Sequence, residues 1–464
     1  MVEYSSYYLI HDSDLIWVPV SFIILYMIVY YKRKKYANTP IYKYYVPAFL
    51  LRLLFAIIYA FVSEYYFLFA DTNHYYQAVL DMHKAVSDDF SYLGDIYSHL
   101  TLDENNPVYK YFYYDPLGIT HFYMHEVNNY FVPRFALPFS LVFGRSYIAI
   151  CFGLSFFAFG GMWRVFKMFY QLYPHLHKKI AVAFLFLPSV MFWGGGLLKD
   201  TICIGAMGYC LYAAYKLFIR KNGGLMDILI MVGAGMLLFY IKPYILLCLA
   251  PAFLIWIFLQ FRVLIKDRLL RQITTFLFAG ISLALAFVMI QSFTSSEVAS
   301  QYSAENIMNT VNRQQEIFQG NQQGSGGGSN FQVAKVGNSI GSMILLFPLG
   351  FVNTFFRPFP WDVRSPIMFL SFLESLAFLS LTFMSIRAVG IKRFFGIITS
   401  NPAITFCFVF AVFFGALIGM TTINFGALNR YKIPCIPFFA MMLFLIMDKS
   451  GKFSSKYIFS KKFF

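Results

Sequence analysis

Charge is what this sequence has little of. Asp, Glu, Lys and Arg make up only 13% of the 464 residues, against roughly 25% in soluble domains. Hydrophobic residues reach 59%, well above the usual share of about 45–50%. Together these figures exclude a soluble enzyme and a disordered chain. Cysteine is also sparse. The six cysteines, Cys151, Cys203, Cys210, Cys248, Cys407 and Cys435, all fall in apolar runs, and none has a C-x-x-C spacing. That excludes a secreted disulfide scaffold and argues against a zinc site; small packing residues are the simpler reading. An internal repeat and a separate soluble domain are missing as well. So is the charge order of a cleavable signal peptide. Asp12 and Asp14 precede the first apolar run and Lys32-Arg33-Lys34-Lys35 follow it, whereas signal peptides are basic before the apolar stretch.

Long apolar runs are what remains. A spanning helix takes about 20 mostly apolar residues, and the chain reads as an all-α, polytopic transmembrane helix bundle of about eleven spans. They are expected at 15–31, 47–70, 145–168, 180–198, 200–218, 226–241, 244–261, 273–291, 366–386, 402–420 and 433–448. The formal charge of +15 at first points to nucleic acid, but its placement points elsewhere. The connectors 32–43, 164–179, 216–221, 262–271, 387–393 and 449–462 hold 24 of the 37 Lys and Arg residues. They alternate with neutral or acidic segments, so the positive-inside rule makes them cytoplasmic. With Asp227, Asp267 and Asp448 on the same side, the inside carries +21 and the remainder −6. The basic excess is therefore topological, and no nucleic-acid partner is expected. The expected orientation has the N-terminus outside and the C-terminus cytoplasmic, in a bacterial inner membrane.

This partition divides the chain into three parts. Residues 1–46 are an N-out anchor span and a basic loop. Residues 47–448 are the membrane domain, with outer loops 71–144 and 292–365. Residues 449–464 are a basic cytoplasmic tail. Residues 72–84 read as a helix lying along the membrane surface, with Tyr76, Val79, Leu80 and His83 on one face and Asp71 or Thr72 as its cap. Residues 105–126 read as an ordered loop. The run Gly324-Ser325-Gly326-Gly327-Gly328-Ser329 lacks the following Lys-Ser/Thr of a phosphate loop and reads as a tether. The apolar stretch 341–356 is expected to be re-entrant on the outer face. If it crossed, Lys392-Arg393 would be placed outside, against the charge rule.

The outer charges cluster at the rims of spans. Asp71 lies in Phe69-Ala70-Asp71-Thr72-Asn73-His74-Tyr75-Tyr76. Lys199-Asp200 follow Trp193-Gly194-Gly195-Gly196. Lys242 opens the turn Lys242-Pro243-Tyr244. Arg357 and Trp361 lie in Arg357-Pro358-Phe359-Pro360-Trp361-Asp362. Arg430 and Tyr431 lie in Asn424-Phe425-Gly426-Ala427-Leu428-Asn429-Arg430-Tyr431-Lys432. In this topology all five groups fall on one side, and bundled helices would let them converge on one outward-facing cavity. Arg and Lys at an interface suit a lipid phosphate or pyrophosphate. A carboxylate at a low-dielectric rim suits a general base on an acceptor hydroxyl. Aromatic faces suit sugar rings or lipid. Each group also has a plainer role: helix caps, rim ion pairs, snorkelling lysines and interface aromatics. Arg52 and Glu374 are read as embedded, and an intramembrane carboxylate is a functional candidate or a hydrogen-bonded packing residue. His121 and His125, four apart beside Glu126, would share a face if helical and could then bind a metal.

This pattern resembles the GT-C superfamily of polytopic, polyprenyl-phosphate-dependent membrane glycosyltransferases: a span ending in an acidic motif, a long first outer loop with a surface helix, then a bundle of spans. The stretches Pro188-Ser189 to Lys199-Asp200 and Asn429-Arg430-Tyr431 to Pro434 are similar to segments of bacterial membrane glycosyltransferases and polysaccharide polymerases. The resemblance covers most of 47–448 as architecture and only short stretches as motif. It implies a polyprenyl-phosphate-linked sugar as donor, with membrane lipids around it and a glycan, lipid or protein as acceptor. It implies Asp71 as the catalytic acidic residue. His74, Tyr75, Lys199, Asp200, Lys242, Arg357, Trp361, Arg430 and Tyr431 would line the substrate. There are three departures. The first span is extra, no soluble C-terminal domain follows, and Asp71 is followed by Thr72 where metal-dependent members often pair Asp with Glu. No metal site is assigned, although the family leaves room for a divalent metal. A repeat-unit polysaccharide polymerase and a flippase or transporter of lipid-linked intermediates are the alternative readings.

Overall fold

Backbone groups in an apolar run have no water to bond, so such a run satisfies them within itself as a helix. The structure, a computed structural model, describes residues 8–67, 70–112, 120–262, a few positions between 267 and 280, 340–422 and 424–451. Among the described residues the regular secondary structure is helical. The glycine-serine run 324–329, most of the span expected at 273–291, Pro116 to Gly118, and the tail beyond 451 lie outside the described residues. The chain divides into two units, Met1–Pro243 and Tyr244–Phe464.

In the first unit α1 (Asp14–Arg33) and α2 (Tyr42–Val62, continued by a wider turn to Phe67) lead to α3 (Asp71–Asp88), α4 (Tyr92–Ser98) and α5 (Thr120–Tyr123). Then come α6 (Val127–Val142), α7 (Tyr147–Leu172), α8 (His177–Leu185), α9 (Pro188–Trp193), α10 (Lys199–Ala214) and α11 (Leu225–Ile241). The α7 helix is the centre of this unit, packing on α1, α2, α6, α8 and α10. Its approach to α10 depends on glycine: a Cβ on Gly161 would run into the Gly205 carbonyl oxygen. Small residues of this kind let backbones meet where lipid supplies no hydrophobic drive between helices. Ser146 starts α7 by accepting a hydrogen bond from the Ala149 N–H at 3.2 Å.

The helix expected at 72–84 is present and four residues longer at its C-terminus. It does not lie half-exposed on a surface: residues 72–82 are all buried, because α4, α5 and α6 pack around it. Neither Asp71 nor Thr72 caps it. Ala70 is the cap residue, and its N–H donates to Asn73 Oδ1 at 3.1 Å.

In the second unit α12 (Pro243–Phe261) begins at the boundary. It is followed by α13 (Ile340–Phe356), α14 (Pro366–Val389), α15 (Ile391–Ser400), α16 (Pro402–Thr421), α17 (Phe425–Tyr431) and α18 (Ile436–Lys449). Proline at the first position and a polar cap start α14 and α16: Ser365 accepts from Met368 N–H, and Asn401 from Ala403 and Ile404 N–H. The α16 helix packs on α13, α15 and α18. Thr354 Oγ1 ties α13 to α16 by donating to the Gly415 carbonyl at 2.6 Å.

Seven helices among the described residues are long and apolar enough to cross a membrane: Asp14–Tyr36, Tyr42–Phe67, Tyr147–Leu172, Lys199–Ile219, Pro243–Phe261, Pro366–Val389 and Pro402–Thr421. The α17–α18 pair, bent by 66°, adds an eighth if it is one span. Leu225–Ile241 and Leu345–Phe356 are apolar but shorter. The chain is thus an integral-membrane helix bundle by the length and composition of its helices. The span expected at 180–198 differs most from its sequence outline. Pro188 disfavours helix in the preceding residue, and Gly194-Gly195-Gly196 interrupt it again, so α8 and α9 are short and 194–198 is a break before α10.

Candidate functional site

A break in an apolar stretch exposes carbonyls that need donors. Here four successive carbonyls each receive one from a side chain of the first unit. Arg52, buried in α2, donates through Nη2 to Gly194 O at 2.8 Å. Ser155 of α7 donates to Gly195 O at 3.3 Å, and Thr201 of α10 to Gly196 O at 2.6 Å. Thr72 of α3 donates to Leu197 O at 3.1 Å, and its hydroxyl also lies 2.7 Å from Tyr147 Oη. The glycines have a steric reason to be there: a Cβ on Gly194 would strike the Arg52 guanidinium. Arg52 is therefore a donor to broken backbone, which explains a base inside an apolar helix.

The Thr72–Leu197 bond brings the N-termini of α3 and α10 together. Asp71, half-buried in the first turn of α3, is one residue from this contact, and Lys199 is two residues from it. Lys199 Nζ donates to Asn128 Oδ1 at 2.6 Å. The next residue, Asn129, accepts from Tyr75 Oη at 3.3 Å and donates to Tyr123 O at 2.8 Å. His74 lies 3.2 Å from Thr120 Oγ1 through Nδ1, with its ring against Tyr123. His74 and Tyr75 thus tie α3 to α5 and α6, and Lys199 ties the start of α10 to the residue beside Asn129, while Asp71 lies one residue before Thr72 at the start of α3. Asp200 and Lys242 belong to the same end of α10 but face each other: Lys242 Nζ donates to Asp200 Oδ1 at 2.5 Å, and the carboxylate is 0% exposed. The pair joins α10 to the end of α11.

The second unit holds the other four expected residues. Arg357 forms a two-pronged ion pair with Asp362, with Nε to Oδ2 at 3.1 Å and Nη2 to Oδ1 at 2.9 Å. Asp362 also accepts the Phe359 N–H at 2.8 Å. Burial by itself would raise the Asp362 carboxyl. Its bonds from Arg357 and the Phe359 N–H prevail and hold it below the usual value. Ser375 of α14 donates to the Arg357 carbonyl at 2.8 Å, so this loop is locked to α14. Trp361 is 76% exposed and stacks on Phe359. Arg430 lies over the ring of Tyr431 at the end of α17. The neighbouring Asn429 donates to Ser371 Oγ at 2.7 Å.

Three polar residues bond in the first unit without having stood out in the sequence, Thr120, Asn128 and Asn129, and Thr72, read only as a possible cap, bonds the Leu197 carbonyl. The signal was Asn128-Asn129 opening an apolar helix, two amides with no reason to be there unless bonded. In the second unit Lys432 is buried and interacts electrostatically with Glu374, which gives that embedded carboxylate a partner. His121 and His125 do not share a helical face, since α5 is four residues long and ends at Tyr123. Their rings pack on Tyr109 and Phe122. Among the described residues no group of three or more His, Cys, Asp or Glu side chains is placed to hold a metal ion. No family model matches the chain, and no curated protein or solved structure matches it.

Proposed function

We propose that the chain is an integral-membrane glycosyltransferase that moves a sugar from a polyprenyl-phosphate-linked donor to a glycan, lipid or protein acceptor on the outer face. In this proposal the chain crosses the bilayer about eleven times, with α13 re-entrant and the N-terminus outside. Asp71 is the general base that takes the acceptor hydroxyl's proton, and Lys199 attracts the donor phosphate. The observation that carries the proposal is the Thr72 bond to Leu197 O at 3.1 Å. It holds a half-buried carboxylate and a lysine at the meeting point of two helix N-termini. Helix N-termini favour phosphate through their unpaired N–H groups and dipoles. The buried rings of Tyr75 and Tyr76 behind Asp71 keep the local dielectric low, which strengthens both effects.

A second reading, transport of a lipid-linked intermediate, is favoured by the broken helix at 194–198, because transporters bind cargo at such breaks. The four carbonyls there already accept from Arg52, Ser155, Thr201 and Thr72, which leaves the transferase reading ahead. The test uses membranes carrying the protein and a radiolabelled polyprenyl-phosphate sugar. Asp71→Asn is expected to lower transfer by about 100-fold or more, with protein amount and donor retention unchanged. Full transfer in that variant would reject Asp71 as the base.

A further inference from the structure

The ten residues Ile391–Ser400 form α15, the link between α14 and α16. Both neighbours are long and apolar enough to cross a membrane, so a helix joining their adjacent ends lies at a membrane surface. Gly390, with φ at +78°, makes the turn out of α14. At about 100° per residue, Phe394, Ile397 and Ile398 share one side of α15. All three are buried, where the helix packs on α14, α16 and α18. Ile391 and Phe395 flank that side and are 62% and 53% exposed. Lys392, Arg393, Thr399 and Ser400 occupy the remaining arc and are exposed as well. An apolar flank beside a basic arc suits a helix lying in the bilayer interface, with its apolar side among acyl chains and its bases among headgroups.

The charge here is of one sign. Arg387 in the last turn of α14 and Lys392 and Arg393 at the start of α15 are all exposed. No Asp or Glu occurs between Glu374 and Asp448, and Asp448, at the end of α18, is offset by Lys449. The side chains of Arg387, Lys392 and Arg393 make no hydrogen bond, ion pair or ring contact among the described residues. Bases in the connectors of the first unit differ. Arg33 lies over Tyr42, Arg164 over Tyr209 and Lys167 over Tyr212, and Lys216 pairs with Asp227. Three open bases beside uncovered apolar side chains are thus left to something outside the chain.

We propose that α15 lies in the plane of the bilayer surface and gathers acidic phospholipids, their headgroups on Arg387, Lys392 and Arg393 and their acyl chains against Ile391 and Phe395. The unopposed positive charge selects acidic over zwitterionic lipid, each base at an acidic surface being worth about fivefold in binding. The apolar flank selects a bilayer over an acidic polypeptide. Phe383, two turns before Gly390 on α14, is 65% exposed, so the apolar surface of α15 continues that of a helix long enough to span. The inference does not depend on the transferase proposal.

The test puts an indole on the apolar flank, Phe395→Trp, in the full chain held in nanodiscs of mixed phosphatidylcholine and phosphatidylglycerol. Bromine, which quenches indole fluorescence on contact, is carried on the acyl chains of one lipid or of the other, and the emission of the wild-type chain is subtracted. The two quenching levels are expected to show phosphatidylglycerol favoured beside the added indole by at least about fivefold over its share of the bilayer. Adding Lys392→Gln and Arg393→Gln, at exposed positions where substitution costs little in folding, is expected to bring that preference below about twofold while quenching by total lipid persists. Quenching in proportion to the bilayer composition would overturn the proposal, and so would a preference unchanged by the two Gln substitutions. No quenching by either lipid would also overturn it and leave the basic face to an acidic polypeptide.

Discussion

Asp200 and Lys242, far apart in sequence, form a buried ion pair in space. Both were expected to line substrate, and in the structure Lys242 Nζ sits 2.5 Å from a fully covered Asp200 carboxylate. Removing one member of a buried pair leaves the other uncompensated, at a cost of about 3–5 kcal/mol, while replacing both is far milder. Lys242→Met is therefore expected to melt well below wild type, and the Asp200→Asn, Lys242→Met double variant to recover most of the loss; thermal melting in detergent measures both. His83 offers a pH test. Burial first, and Arg145 second, hold its imidazole below the ordinary value of 6.5, and Nδ1 lies 2.8 Å from Ser140 Oγ. The unfolded chain takes up this proton at a higher pH than the folded one, so His83 costs stability as pH falls through the ordinary histidine range. The fall in melting temperature from about pH 7 to about pH 5 is expected to be smaller in His83→Gln than in wild type. Equal falls would show that His83 does not contribute to it.

At the scale of elements, two contacts organise the first unit: α7 against α10, and the break at 194–198. The first depends on the absence of a side chain at Gly161, because a Cβ there would meet the Gly205 carbonyl oxygen. Neither helix can shift freely, since α7 is buried along most of its length. Gly161→Leu is expected to destabilise the protein by about 1–3 kcal/mol through overpacking, with a lower melting temperature as the readout, whereas Gly233→Leu, where a Cβ meets nothing within 4 Å, is expected to leave it unchanged. The existence of α3 was legible from its 3.6-residue periodicity, and so was its start near Asp71. Its burial was not, because a helix rich in Tyr, His, Asn and Asp reads as half-wet. What covers it arrives from α4, α5 and α6, and the polar groups inside are satisfied by residues about 50 positions away, as with Tyr75 and Asn129. The break before α10 was written in Pro188 and the three glycines, but an apolar average over 180–198 hid it.

At the scale of the molecule, the basic connectors make orientation testable. With +21 assigned to one side, a green fluorescent protein joined to the C-terminus is expected to fluoresce, and alkaline phosphatase placed before α1 to be active, because the first needs the cytoplasm and the second the outside. The reverse pattern would invert the orientation and put Asp71 on the wrong side for an outer-face transferase. Hydropathy acts residue by residue against a slab of lipid, so membrane class and most helix positions follow from the chain read in one dimension. Partners for polar groups do not. That Arg52 donates to Gly194 O and that Asp200 pairs with Lys242 depend on which helices meet and at what height. Those meetings are set by small residues, broken backbone and satisfied carbonyls between segments far apart in sequence, and only the folded chain contains them.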